Sequence, residues 1–223
     1  MSALITTLID KQDSNELVRD QIAAILAVEV ANQRTLAIAD GKDPDDYSFS
    51  VYIERSKPWE SGEMPLVNVL FDNDRFDNRN SNMLDRQRAI GTFYIDCYAK
   101  KNTTDDNEGD ELSSKEADRI AMLVRNIIMS NEYFQLALGY RELGVGNNIV
   151  SRRYIMRREK FQPDIRNEAY ENIIACRVMV EVEYDEFSPQ TETEDFELLI
   201  HSCKRSDDDK VLFVTEHDMT EEE

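Results

Sequence analysis

The stretch NIIACRVMVEVEYDEF, Asn172 to Phe187, alternates with period two. Ile174, Cys176, Val178, Val180 and Val182 fall on one side of an extended chain, and Arg177, Glu181 and Glu183 on the other. Successive side chains of a strand point to opposite faces, so this pattern predicts a strand with one buried face. GTFYIDCYAKK, Gly91 to Lys101, repeats it: Phe93, Ile95, Cys97 and Ala99 lie on one side, Thr92, Tyr94, Asp96, Tyr98 and Lys100 on the other. Two such strands call for a sheet covered on its apolar face only, which suits antiparallel or mixed sheets better than all-parallel ones. The polar row Tyr94, Asp96, Tyr98 and Lys100 is then a solvated surface, an active-site floor or a subunit contact.

Two amphipathic segments can supply the cover. Ser14 to Ala39 carries an apolar stripe of Val18, Ile22, Ile25, Leu26 and Val30, with Asp13 and Glu16 at capping-box spacing and Asp40-Gly41 as its stop. Ser113 to Ser130 carries Ala117, Ile120, Ala121, Val124, Ile127 and Ile128, with a second box expected in SSKE, between Ser113 and Glu116. Glu132 to Leu138 predicts a short helix, and GVGNN a turn into the next strand. SFSVYIER (with Phe49, Val51 and Ile53 on one face), LVNVLF and NIVSRRYIMRREKF read as further strands, and DNDRFDNRNSN as a polar loop. The sequence therefore predicts an α+β fold. An antiparallel or mixed sheet of about five strands carries two main helices on one face. After Pro189 the composition changes: from Asp185 onward 14 acids against 3 bases leave about −11. ELLIHSCKR and KVLFVTEHD read there as a small hairpin or arm. The expected division is a domain over 1–188 and an acidic appendage over 189–223.

The formal net charge of −20 on 223 residues argues against broad nucleic-acid binding, which neutralises phosphates with Lys and Arg. No apolar run is read as approaching the roughly 20 residues that span a bilayer. The opening MSALITTLIDKQDSNE lacks a basic region followed by a long apolar stretch, so the chain reads as made and folded in a cytoplasm. Cys97, Cys176 and Cys203 are far apart and form no CxxC pair, so neither a disulfide framework nor a zinc site is expected. No cofactor is expected.

Catalytic patterns are weak. Asp72, Asp74 and Asp77 are spaced like ligands of a hard cation, yet the sixth and twelfth positions of that loop hold Asp77 and Met83 where an EF-hand needs Gly and Glu. Asp72, Asp96 and Lys100 sketch a metal-dependent nuclease, but Asp96 and Lys100 have the wrong spacing on their strand. There is no GxSxG elbow and no phosphate-binding glycine loop. The one basic segment is SRRYIMRREK. Regular alternation would put Arg152, Tyr154, Arg158 and Lys160 on one side, with Arg153, Ile155, Arg157 and Glu159 on the other. Such a strip fits phosphate or, better on so acidic a chain, carboxylates of an adjoining subunit, since Arg pairs carboxylates bidentately.

The succession ELVRDQIAAIL, VYIERSKPWE, LVNVLFDNDRFD, AIGTFYIDCYAKK, EADRIAMLVRNI, IVSRRYIMRREKFQPD and NIIACRVMVEVEYDE resembles the tail terminator (tail completion) proteins of long-tailed bacteriophages. The likeness covers about Glu16 to Glu186 and is strongest in the YAK-loop-AD…A..LV…I run. It implies no enzyme and no catalytic residues. It implies a ring, of six copies, on the head-proximal end of the tail tube, assembled in the host cytoplasm and carried in the virion. Such a ring ends tube polymerisation and offers a docking surface to the head. The implied partners are the chain itself, the tail tube protein and a head-completion or neck protein, with DNA passing through the lumen without specific binding. In this reading Tyr94, Asp96, Tyr98 and Lys100 are subunit-contacting or lumen-facing, and Arg152, Arg153, Arg157, Arg158 and Lys160 meet a neighbour. Another head-tail connector, neck or tail-tube protein is the alternative, and a metal-dependent nuclease a more distant one.

Overall fold

The computed structural model describes residues 13–56, 61–77, 86–138, 149–163, 172–187, 198–204 and 211–218. Contacts divide the chain into two units, Asp10–Ser188 and a second made of Met1–Ile9 with Pro189–Glu223. The larger unit contains α1 (Ser14–Ala39), β1 (Ser50–Ile53), β2 (Leu66–Asp77), β3 (Arg86–Lys100), α2 (Gly109–Ile128), β4 (Val150–Phe161) and β5 (Ile173–Phe187). Single 3-10 turns lie at Pro44–Tyr47, Ser61–Glu63 and Asn131–Tyr133, the last standing where a short helix was expected. In the smaller unit β6 (Leu198–Lys204) and β7 (Val211–Asp218) pair antiparallel. The GVGNN turn, the loop at Pro58 and Trp59, the turn through 164–171 and the linker after Pro189 lie outside the described residues.

The five strands make one mixed sheet in the order β1-β2-β3-β5-β4. β1 runs parallel to β2, and every other pairing is antiparallel. Register aligns the apolar positions across it: Val69 faces Ile95, Ile95 faces Val178, Phe93 faces Val180 and Cys97 faces Cys176. Both helices lie on that face. Val18, Ile22, Ile25, Leu26 and Val30 of α1, and Ala117, Ile120, Ala121, Val124, Ile127 and Ile128 of α2, share one core with Val69, Ile95, Val178 and Val180. Cys97 and Cys176 are buried free thiols within it. α1 is also long and apolar enough, by length and composition, to cross a bilayer. Its only charges from Ile22 to Ala39 are Glu29 and Arg34, so, against the expectation from the sequence, its apolar run reaches that length.

Local chemistry explains the helix ends, and two expected caps do not form. α1 stops as foreseen: Gly41 takes φ 68°, its N–H donates to Ile38 O at 3.1 Å, and the Lys42 N–H donates to Ala37 O at 2.9 Å. That is the paired pattern of a left-handed helix stop, which favours glycine. At the start, Asp13 makes no side-chain cap; instead the Ser14 hydroxyl donates to Asp185 O at 3.0 Å, tying the helix to the end of β5. α2 begins at Gly109, before the expected box, so Ser113 is interior. Its hydroxyl donates to Gly109 O at 2.7 Å and accepts from the Lys101 N–H at 2.7 Å, joining the helix to the exit of β3. A carbonyl one turn back competes for such a hydroxyl, and here it wins over the cap.

The expected loop DNDRFD is strand. β2 continues to Asp77 with a bulge between Phe71 and Asn73. Its carboxylates are used along the sheet: the Tyr94 hydroxyl donates to Asp72 at 2.8 Å and the Tyr184 hydroxyl to Asp74 at 3.1 Å. Gly91 makes room for the second of these. A Cβ there would stand 2.7 Å from Tyr184 Cε1 and 3.0 Å from its hydroxyl.

Ile95→Asp tests the face assignment. It puts a charge without a partner between the sheet and both helices, at a cost on the order of 4 kcal/mol or more. The variant should lack a cooperative thermal transition by circular dichroism. A soluble variant melting like the wild type would mean the face is wrongly assigned.

Candidate functional site

The face of the sheet opposite the helices carries the polar row. Asp96 and Tyr98 are only 1% and 4% exposed, so they lie inside the protomer and do not themselves meet a neighbour or a lumen. Asp96 sits opposite Arg177 in register and receives both arms of its guanidinium, at 2.7 and 2.8 Å. The Tyr98 hydroxyl donates to the same carboxylate at 3.2 Å. Arg177 stacks over the Tyr94 ring at 4.2 Å and the Phe161 ring at 5.1 Å, so its charge is held between two aromatic faces. Around this pair Leu66, Tyr98, Ile173 and Ala175 form a second, small core with Tyr52, Met64 and Phe161 packed against it. Burial, then the Asp96 carboxylate, raises the Tyr98 hydroxyl far above the ordinary tyrosine range. The hydrogen bond to Asp96 raises Arg177 further. Tyr94 and Lys100 stay half-exposed at the ends of the row.

The basic strand does not alternate as expected. β4 has two irregularities, between Val150 and Arg152 and between Ile155 and Arg157, and the second swaps the faces beyond it. Arg153, Arg158 and Lys160 stand opposite Val182, Val178 and Cys176, on the helix side. Arg152 and Arg157 stand opposite Glu183 and Met179, on the uncovered side. Arg153 leaves the interface set altogether. It is 7% exposed, and its guanidinium donates to the carbonyls of Ile128 and Ser130, closing the C-terminal end of α2. Burial lowers its pKa from the usual arginine value. Arg152 pairs with Glu183 at 2.6 Å, Arg157 with Glu159 at 3.3 Å, and Lys160 with Asp118 at 2.6 Å. Arg158 is exposed and in no ion pair among the described residues.

Among the described residues no three His, Cys, Asp or Glu side chains are grouped to hold a metal ion. Asp72, Asp74 and Asp77 are spread along β2, and Asp96 of the nuclease sketch gives both oxygens to Arg177. Sequence reasoning missed two features. One is the Asp96–Arg177 pair, although both residues had been placed on the polar faces of the two clearest strands. The other is a hollow of about 500 Å³ between the helices, lined by Glu29, Tyr47, Leu123, Glu132 and Tyr133 among others. Tyr133 donates to Glu29 there, which pushes Tyr133 up to about 12.

The pair is asymmetric, which gives a mutational test. Arg177→Ala leaves a buried carboxylate unpaired and should cost about 3–5 kcal/mol in urea denaturation. Asp96→Ala leaves a more exposed guanidinium and should cost less. The double variant should be more stable than Arg177→Ala alone; if it is weaker, the carboxylate is not the stranded group.

Alkaline stability follows from the tyrosines. Burial and then Asp74 raise Tyr184, as burial and Asp96 raise Tyr98, while an unfolded tyrosine titrates near about 10. The folded chain thus keeps protons the unfolded chain loses. This stability is full below about pH 10 and should fall as pH rises above it toward the raised folded values, with the phenolate absorbance of these two tyrosines appearing only on unfolding. Ionisation of Tyr98 and Tyr184 in a still-folded protein near pH 10 would contradict it.

No family model matches this chain, and no curated protein is similar to it in sequence.

Proposed function

We propose that this protein is a structural ring component of a long-tailed phage, acting as the tail terminator at the head-proximal end of the tail tube. The observation that carries the reading is the disposition of charge on the fold. Among the described residues the sheet has helices on one face only, and its edge strand β4 concentrates exposed cations on a chain of net charge −20. Acidic copies repel one another, so they associate only where charge is locally complementary. The order of elements that resembles the terminator family supports the same reading. In it the ring, of six copies, contacts the tail tube protein on one rim and a head-completion or neck protein on the other. Acidic walls let DNA pass without gripping it. The protein works as a virion part and not as an enzyme.

Purified protein imaged by negative stain should show annular particles. Added to polymerising tail tube protein, it should stop growth at one end. Rings that leave tube growth unchanged point to another connector, neck or tube protein. A monomer at all concentrations, above all one that cleaves DNA with Mg²⁺, overturns the proposal.

A further inference from the structure

The hollow between the helices and the bulge on β4 have complementary chemistry. The hollow's floor is Leu123 and Ile127 of α2, its walls include Tyr47 and Tyr133, and its carboxylates are Glu29 and Glu132. Neither carboxylate is in an ion pair with another described residue. Asp46 and Arg119 line an adjoining recess that shares Tyr47 and Leu123 with it, so the net negative charge of the hollow comes from Glu29 and Glu132. An apolar floor under aromatic walls and uncompensated carboxylates fits a cation on an apolar stem, the form of an arginine side chain. At about 500 Å³ it has room for one or two such side chains.

The chain itself carries such a group. Among the described residues β4 pairs with β5 alone, and its outer edge carries no other strand. The bulge at Met156 throws that residue out to 52% exposure, and the Arg157 side chain beside it is 60% exposed. Arg158 completes the knob, in no ion pair among the described residues. Bulges and charges also protect an edge against unwanted strand pairing. An exposed methionine followed by two exposed arginines does more: it offers apolar contact area with two positive charges next to it.

We propose that the Met156–Arg158 knob of one copy seats in the hollow between α1 and α2 of the next copy. This rests on the ring reading and names the surfaces that make the ring. The two surfaces differ, so the contact is head-to-tail, the kind that closes into a ring when the rotation allows.

The test uses the full chain and two double variants, Arg157→Glu/Arg158→Glu and Glu29→Lys/Glu132→Lys. Each alone should remain folded by thermal melting, yet need at least about tenfold more protein to assemble, a shift of about 1.4 kcal/mol. Mixed in equal amounts they should reassemble, because an acidic knob now finds a basic hollow and a basic knob an acidic one. Arg158 and Glu132 are exposed, so Arg158→Glu and Glu132→Lys replace the doubles if either fails to melt cooperatively. Wild-type rings with variants that assemble equally well overturn this contact and leave the ring reading standing. Variants that stay apart when mixed also overturn it. So does unchanged assembly together with calorimetric binding of spermidine that Glu29→Lys/Glu132→Lys abolishes, which would assign the hollow to a soluble polyamine. A wild type that never assembles overturns both readings.

Discussion

The register of β3 on β5 is the constraint on which the rest depends. The two strands pair without a break from Arg86 opposite Phe187 to Lys100 opposite Ile173. That register puts Phe93, Ile95 and Cys97 beside Val180, Val178 and Cys176, under both helices. A slip of one residue would carry all of these to the other face. A slip of two would keep the faces, so hydrophobic alternation alone does not forbid it. The Asp96–Arg177 pair does: two places along, Asp96 would lie opposite Ala175 or Met179, a buried carboxylate with no cation. A buried ion pair adds little net stability over a well-packed apolar pair, but breaking one is costly. Its use here is to select one alignment.

The same logic extends over the uncovered face. Arg75 approaches Glu181 at 3.7 Å, Arg152 holds Glu183 at 2.6 Å and Arg88 reaches Asp185 at 3.5 Å. Most of these arginines are substantially exposed, so each pair is worth about 0–1 kcal/mol at most. Their collective effect is on distribution. On this face Glu181, Glu183 and Asp185 are each met by an arginine, so negative charge is locally offset there. A body of net charge −20 therefore has a preferred side on which another such body can approach.

The helices and the strand faces of β3 and β5 were legible in the sequence because each is set by periodicity over many residues. The failures are all cases where one local choice depended on a distant partner. Ser113 has the spacing of a cap, but the Lys101 amide and the Gly109 carbonyl claim its hydroxyl inside the helix. DNDRFD has the composition of a loop, but Tyr94 and Tyr184 supply partners to Asp72 and Asp74 across the sheet. The bulge at Met156 leaves no mark in the sequence pattern, and one extra residue reassigns Arg157, Arg158 and Lys160 to faces opposite those expected. Arg153 reads as one of a basic run, and only the end of α2 beside it makes it a structural residue.

The burial of Asp96 and Tyr98 has a topological origin. β1 and β2 are parallel neighbours, so the chain between them must leave the sheet and return, which takes about a dozen residues. The described parts of that connection, 54–56 and 61–65, place Arg55 against Asn68 and Met64 against the small core on the side away from the helices. Asn68, 1% exposed, holds the departing chain like a strand partner: its amide donates to Arg55 O at 2.9 Å and its carbonyl accepts from the Arg55 N–H at 3.1 Å. Arg55 then pairs with Glu63 at 2.9 Å, and Met64 packs on Leu66 and Tyr98. A polar row in a one-sided sheet normally faces water. Here a parallel edge strand routes its own connection over one end of that row, and residues that alternation places on a surface become a second core.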